Sequence, residues 1–169
     1  LLRALLRDSR KKEYDNQKKS LPAFTPSASF KGGRKKEFVN EYSGFIVLDL
    51  DKIPDERLQL LKTTASKIPF TYACFISPGN NGLKILIRTD AIQVNHTLVF
   101  DEVKNYYEMN LSFPVDQSGK DITRLCFFSW DNDLYFNPLA ETFNTRATMI
   151  DTDISNVVFQ LEQQHIDIT

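Results

Sequence analysis

Asp49 and Asp51 close an apolar run, Phe45-Ile46-Val47-Leu48-Asp49-Leu50-Asp51. If the run is an extended strand, residues two apart share a face, so the two carboxylates project together while Ile46, Leu48 and Leu50 turn to the other side. Adjacent carboxylates repel, and at neutral pH both stay ionised only with a cation or Lys/Arg partners. Mg²⁺ or Mn²⁺ suits oxygen ligands of this kind, often alongside substrate phosphates. Two such ions about 3.5–4 Å apart support in-line phosphoryl displacement. The plainer alternative is a solvated strand end beside Lys52.

Two further segments carry matching chemistry. Ser77-Pro78-Gly79-Asn80-Asn81-Gly82 is a turn of small residues followed by Lys84. Such a turn lets backbone N–H groups approach an anion, with Ser77 adding a hydroxyl and Lys84 a point charge. Val115–Arg124 supplies a third acid, Asp116 or Asp121, together with Arg124 as a phosphate contact. The simpler readings are a hairpin turn with a solvated lysine and an Asp121–Arg124 surface ion pair contributing at most ~1 kcal/mol.

The elements that must position these groups follow from periodicity and punctuation. Leu at 1, 2, 5 and 6 predicts a short amphipathic helix within 1–19. Ser20–Gly33, with two prolines and two glycines, reads as a loop and linker. Phe45–Asp51 is a strand, and Pro54-Asp55-Glu56 starts a helix that ends near Lys67. Thr71–Ile76 and Leu83–Arg88 are strands flanking the turn. Asn95 caps a helix whose apolar and aromatic positions include Leu98, Val99, Val103, Tyr106 and Tyr107, Leu125–Trp130 is a fourth strand, and Ile154–Gln164 is a final helix. The order βαββαβ is that of a split-βαβ, RRM- or ferredoxin-like α+β fold, an antiparallel sheet with helices on one face. In that fold the first and third strands are neighbours, which brings Lys84 towards the Asp pair. Extensions flank this core, giving a basic arm over 1–36, a core over 37–140 and a C-terminal helical extension over 141–169.

Charge is divided along the chain. Residues 1–36 hold eleven Lys/Arg and three acids, net +8, and residues 37–169 hold ten and nineteen, net −9. A basic arm on an acidic body suggests a polyanion for the arm and cations for the body, or simply a solvated leader. The longest apolar run, Tyr72–Ile76, is five residues, so nothing reads as a membrane span, and the first ten residues lack a signal peptide's apolar centre. The chain starts at Leu1 and is expected to be a piece of a longer protein. Cys74 and Cys126 sit in apolar strands, as buried thiols of a reducing, cytoplasmic protein. Catalytic Ser/His/Asp or Cys/His sets and zinc sites find no spacing to support them. The aromatics Tyr72, Phe127 and Trp130 read first as core packing.

Four stretches, LPAFTPSASF, YSGFIVLDLD, FISPGNNGLKILIRTD and VDQSGKDITRLCFFSWDNDLYFNP, span Leu21 to Pro138. On these the chain resembles the VirE N-terminal domain family of bacterial mobile elements and phages, itself similar to the primase–polymerase superfamily. The resemblance implies an RRM-like sheet performing metal-dependent nucleotidyl transfer on DNA, as part of a replication protein. It implies catalytic and metal-binding roles for Asp49, Asp51 and Asp116, with Mg²⁺ or Mn²⁺ as the cofactor. It also implies nucleotide binding by Ser77, Gly79, Gly82, Lys84 and Arg124. Single-stranded template DNA and nucleoside triphosphates would be the partners, and a helicase-like ATPase would lie downstream. That superfamily's second motif usually carries a histidine where this chain has Lys84. The alternative expectation is a catalytically degenerate primase-like module that binds single-stranded nucleic acid through the basic arm and aromatics. A D-x-D-x-[TV] phosphatase is disfavoured by Ile53 at the last motif position.

Overall fold

The computed structural model describes residues 2–7 and 10–145. Two short helices come first, α1 (Leu2–Arg7) and α2 (Lys11–Lys19), rather than one. The expected linker contains β1 (Ala23–Phe24) and β2 (Ala28–Phe30), and β2 pairs antiparallel with β3 (Val39–Tyr42) in a ribbon of its own. The remaining elements are β4 (Phe45–Leu50), α3 (Asp55–Lys67), β5 (Thr71–Ile76), β6 (Leu83–Arg88), α4 (His96–Leu111), β7 (Cys126–Phe127) and β8 (Tyr135–Phe136). The fold is α+β with antiparallel pairing throughout its sheets. The expected final helix at 154–164 lies outside the described residues.

The central sheet runs β4-β6-β5-β8. First and third core strands are neighbours, and Asp49 stands directly opposite Lys84 in their register. Ile46, Leu48 and Leu50 of β4 and Leu83, Ile85 and Ile87 of β6 turn to one face. There they bury against Leu58, Leu61 and Ala65 of α3 and Val99, Phe100 and Val103 of α4. Each such side chain taken from water contributes about 1.5–3 kcal/mol. Tyr107, also buried, satisfies its hydroxyl on Thr71 Oγ1 at 2.7 Å, so α4 is pinned to the start of β5. Asn95 occupies the N-cap of α4, but its Oδ1 accepts from Ile92 N at 2.8 Å, so it ties down the preceding turn instead.

The fourth strand departs from expectation. Only Cys126 and Phe127 of the 125–130 segment are extended, and they pair with β1, not with the central sheet. The vacant edge of β4 is covered by the chain from Val115 to Lys120. Asp116 N donates to Asp49 O at 2.8 Å, and the 3₁₀ turn at Gln117–Lys120 lies so close that a Cβ on Gly119 would sit 2.5 Å from Val47 O. A short irregular segment thereby blunts an edge that would otherwise offer unpaired N–H and C=O groups. The opposite edge is completed by β8 on β5.

Candidate functional site

Asp49 projects from the face of β4 opposite the helices. That face is not open around it: Asp49 is 2% exposed and Val47 1%. Lys84 Nζ bonds Asp49 Oδ1, and Arg124 Nη2 donates to Asp49 Oδ2 at 2.9 Å. Both oxygens of the carboxylate therefore hold a cation from the chain itself. Arg124, expected as a phosphate contact or a partner of Asp121, is committed here. Asp121 instead accepts from the amide and hydroxyl of Thr123, both at 2.9 Å.

Asp116 accepts from Ser118 N at 2.6 Å and so caps the 3₁₀ turn. Its hydrogen bonds from Ser118, with the fields of Arg124 and Lys84, hold its carboxyl below the usual range. Asp51 lies past the end of β4, exposed, with Oδ1 3.2 Å from where a Cβ on Gly82 would stand. Asp49, Asp51 and Asp116 thus do not form one donor set: the first is neutralised, the second stands apart and the third is a cap. No group of three or more His, Cys, Asp or Glu side chains is placed to hold a metal ion among the described residues.

The Ser77–Gly82 turn is built as the sequence suggests. Ser77 N donates to Gly82 O and Asn80 N to Ser77 O, both at 2.8 Å. Asn80 takes φ +59°, a conformation its short side chain tolerates. Gly82 is required by space, since a Cβ there would lie 2.5 Å from Leu50 O. Gly79 is buried within the turn. Cys74 and Cys126 are free, buried thiols, and burial pushes them up to about 12 and about 11, so neither supplies a thiolate at neutral pH.

The turn forms one wall of a cleft of about 540 Å³. Ser77, Pro78 and Asn80 face Gln17, Ser20 and Leu21 from the end of α2. Phe128, Ser129 and Trp130 close a third side. Trp130 is 91% exposed rather than core. Its Nε1 donates to Asn132 Oδ1 at 2.7 Å. The next residue, Asp131, is buried and anchored by Lys62 Nζ at 2.7 and 2.9 Å and by Ile76 N at 2.8 Å. Burial opposes the charge of Asp131, but Lys62 and the amides of Ile76 and Asp133 outweigh it and hold the carboxyl low. Gln17 Oε1 is buried without a partner. No acid, base, histidine or cysteine lines the cleft among the described residues.

An α+β domain with antiparallel sheets and an open cleft lined by uncharged residues is what fold and site define. The chain belongs to the BT4734-like N-terminal domain family, whose model matches residues 16–136. No curated protein and no solved structure matches it. This is a different family from the VirE N-terminal domain, so that resemblance is corrected. The reading as a primase or polymerase, and its alternative as a degenerate primase-like module on single-stranded nucleic acid, fall with it. No described helix is long and apolar enough to cross a membrane.

Proposed function

We propose that this domain is a binding module whose cleft holds the base of a nucleoside without altering it covalently. The observation that carries the reading is Trp130, a solvent-facing indole on the wall of a cleft whose other polar groups are neutral. A flat ring stacking on such an indole gains about 1–3 kcal/mol. The amides of Gln17 and Asn80 supply paired donors and acceptors, the chemistry that matches base edges. Binding rather than turnover fits the walls, because none of them offers a group that titrates near neutral pH as a general acid or base.

Calorimetric titration of the chain with adenosine, guanosine, cytidine and uridine, and with glucose as a non-aromatic control, tests the proposal. Saturable binding of at least one nucleoside, none of glucose, and a loss of about 3- to 10-fold in Gln17→Ala, the worth of one hydrogen bond, are expected. Heat from glucose equal to that from the nucleosides, or none from any nucleoside, would contradict it.

A further inference from the structure

The eleven cations of the first 36 residues are not spread over a featureless arm. Four of them, Lys31, Arg34, Lys35 and Lys36, stand in the eight-residue connection Lys31–Phe38 between β2 and β3, against the single acid Glu37. Every residue of that connection is exposed. Its backbone is nevertheless fixed. Lys31 N donates to Phe38 O and Phe38 N to Lys35 O, both at 2.9 Å, and Lys35 N donates to Gly33 O at 3.1 Å. Gly32 takes φ +93° and Gly33 φ +154°, and a Cβ on Gly33 would lie 3.3 Å from the Phe38 ring. Arg34 is tied to the Thr123 carbonyl through Nη1, at 2.5 Å. The body beyond residue 36 carries net −9; within the connection Lys35 reaches Glu37 at 3.9 Å in solvent, and Lys36 and Arg34 lie near enough to Asp121 for their fields to help hold its carboxyl low. Four like charges are thus held together on a preorganised turn and only partly offset by Glu37 and Asp121, an arrangement that a dense external polyanion stabilises.

We propose that the β2–β3 ribbon is a contact for the sugar–phosphate backbone of double-stranded nucleic acid, with Lys31, Lys35 and Lys36 at its tip meeting phosphates. Two features favour a duplex over an acidic protein. The strands pair only with each other, and a two-stranded ribbon is an element that the duplex major groove admits. A duplex also presents one charge per ~1.7 Å of axis, dense enough to engage several cations on one short turn. The inference is independent of the cleft.

The test is fluorescence anisotropy of the full chain with a labelled 20-base-pair duplex of arbitrary sequence, over a series of salt concentrations. Expected is binding whose log K falls against log salt with a slope of about −3, as three phosphate contacts require. The Lys31→Glu/Lys35→Glu/Lys36→Glu variant, altered only at exposed positions, should lose at least about 100-fold in affinity at 50 mM salt while keeping its Tm. Trp130→Ala should bind the duplex as the unaltered chain does. Absence of duplex binding, an unchanged affinity in the triple variant, or equally tight binding of polyglutamate would overturn the proposal.

Discussion

Asp49 is the residue on which chemistry and stability part. A carboxylate at a strand end reads as a ligand for a cation, and in the folded chain it has two, Lys84 and Arg124. Removing one member of a buried ion pair leaves a charge without solvent or partner, which costs about 3–5 kcal/mol, whereas replacing a pair by apolar groups is often near neutral. Asp49→Asn is therefore expected to lower unfolding free energy by about 3–5 kcal/mol in urea. Asp49→Leu/Lys84→Met should cost clearly less, because Arg124, about a third exposed, can turn to water. A double variant as unstable as the single one would contradict this view of the cluster. The nearness of Lys84 to Asp49 was legible in the sequence, from strand order and a period of two. That a third group, Arg124, reaches the same carboxylate from 75 residues away was not, since no local period connects them.

At the level of elements, legibility follows the hydrophobic pattern. The strands at 45–50, 71–76 and 83–88 and the helices at 55–67 and 96–111 carry unbroken apolar stripes and stand where the residues place them. The segment Leu125–Trp130 looks equally strand-like. Its polar end, however, is pulled away by Asp131, which is drawn under α3 by Lys62 and leaves Trp130 in solvent. The exposure of Trp130 could have been suspected from its polar neighbours Ser129, Asp131 and Asn132, but the buried salt bridge is a tertiary fact. Two elements also make stability depend on pH. His96, buried at the start of α4 with its Nδ1 2.8 Å from the Tyr42 hydroxyl, has its pKa lowered chiefly by burial, against the Gly119 carbonyl and Asp121 and with help from Lys36. The unfolded chain therefore takes up that proton first, and stability declines as pH falls through about 6.5. For Asp131, whose folded pKa is depressed, the contribution is complete above the unfolded value and is lost as pH falls below about 4. Melting temperatures should thus drop in two limbs. His96→Gln should flatten the limb between pH 7 and 5 and keep the acid one; a profile with both limbs intact in that variant would refute the assignment.

The whole molecule divides its surfaces by charge. The helical face of the sheet is core; on its other face Asp49 is buried against Lys84 and Arg124 near Cys126, and the 115–120 segment covers the adjoining edge of β4. Of the three acids, Asp49 is closed off from solvent by this packing, whereas Asp51 and Asp116 are exposed. Among the described residues, the accessible surface includes a neutral cleft and, on a separate ribbon, a cationic tip. The family match over residues 16–136 takes in the cationic tip and every residue lining the cleft except Leu2. Trp130 is the only tryptophan in the chain, so its emission reports on the cleft without labelling. The most direct measurement is a fluorescence titration with nucleosides at fixed protein concentration. The account predicts saturable quenching of the indole emission by the same nucleosides that give heat on binding, unaltered in the stably folded Asp49→Leu/Lys84→Met variant. Emission that stays constant, or that falls only linearly with added nucleoside as collisional quenching does, would contradict a base seated on Trp130.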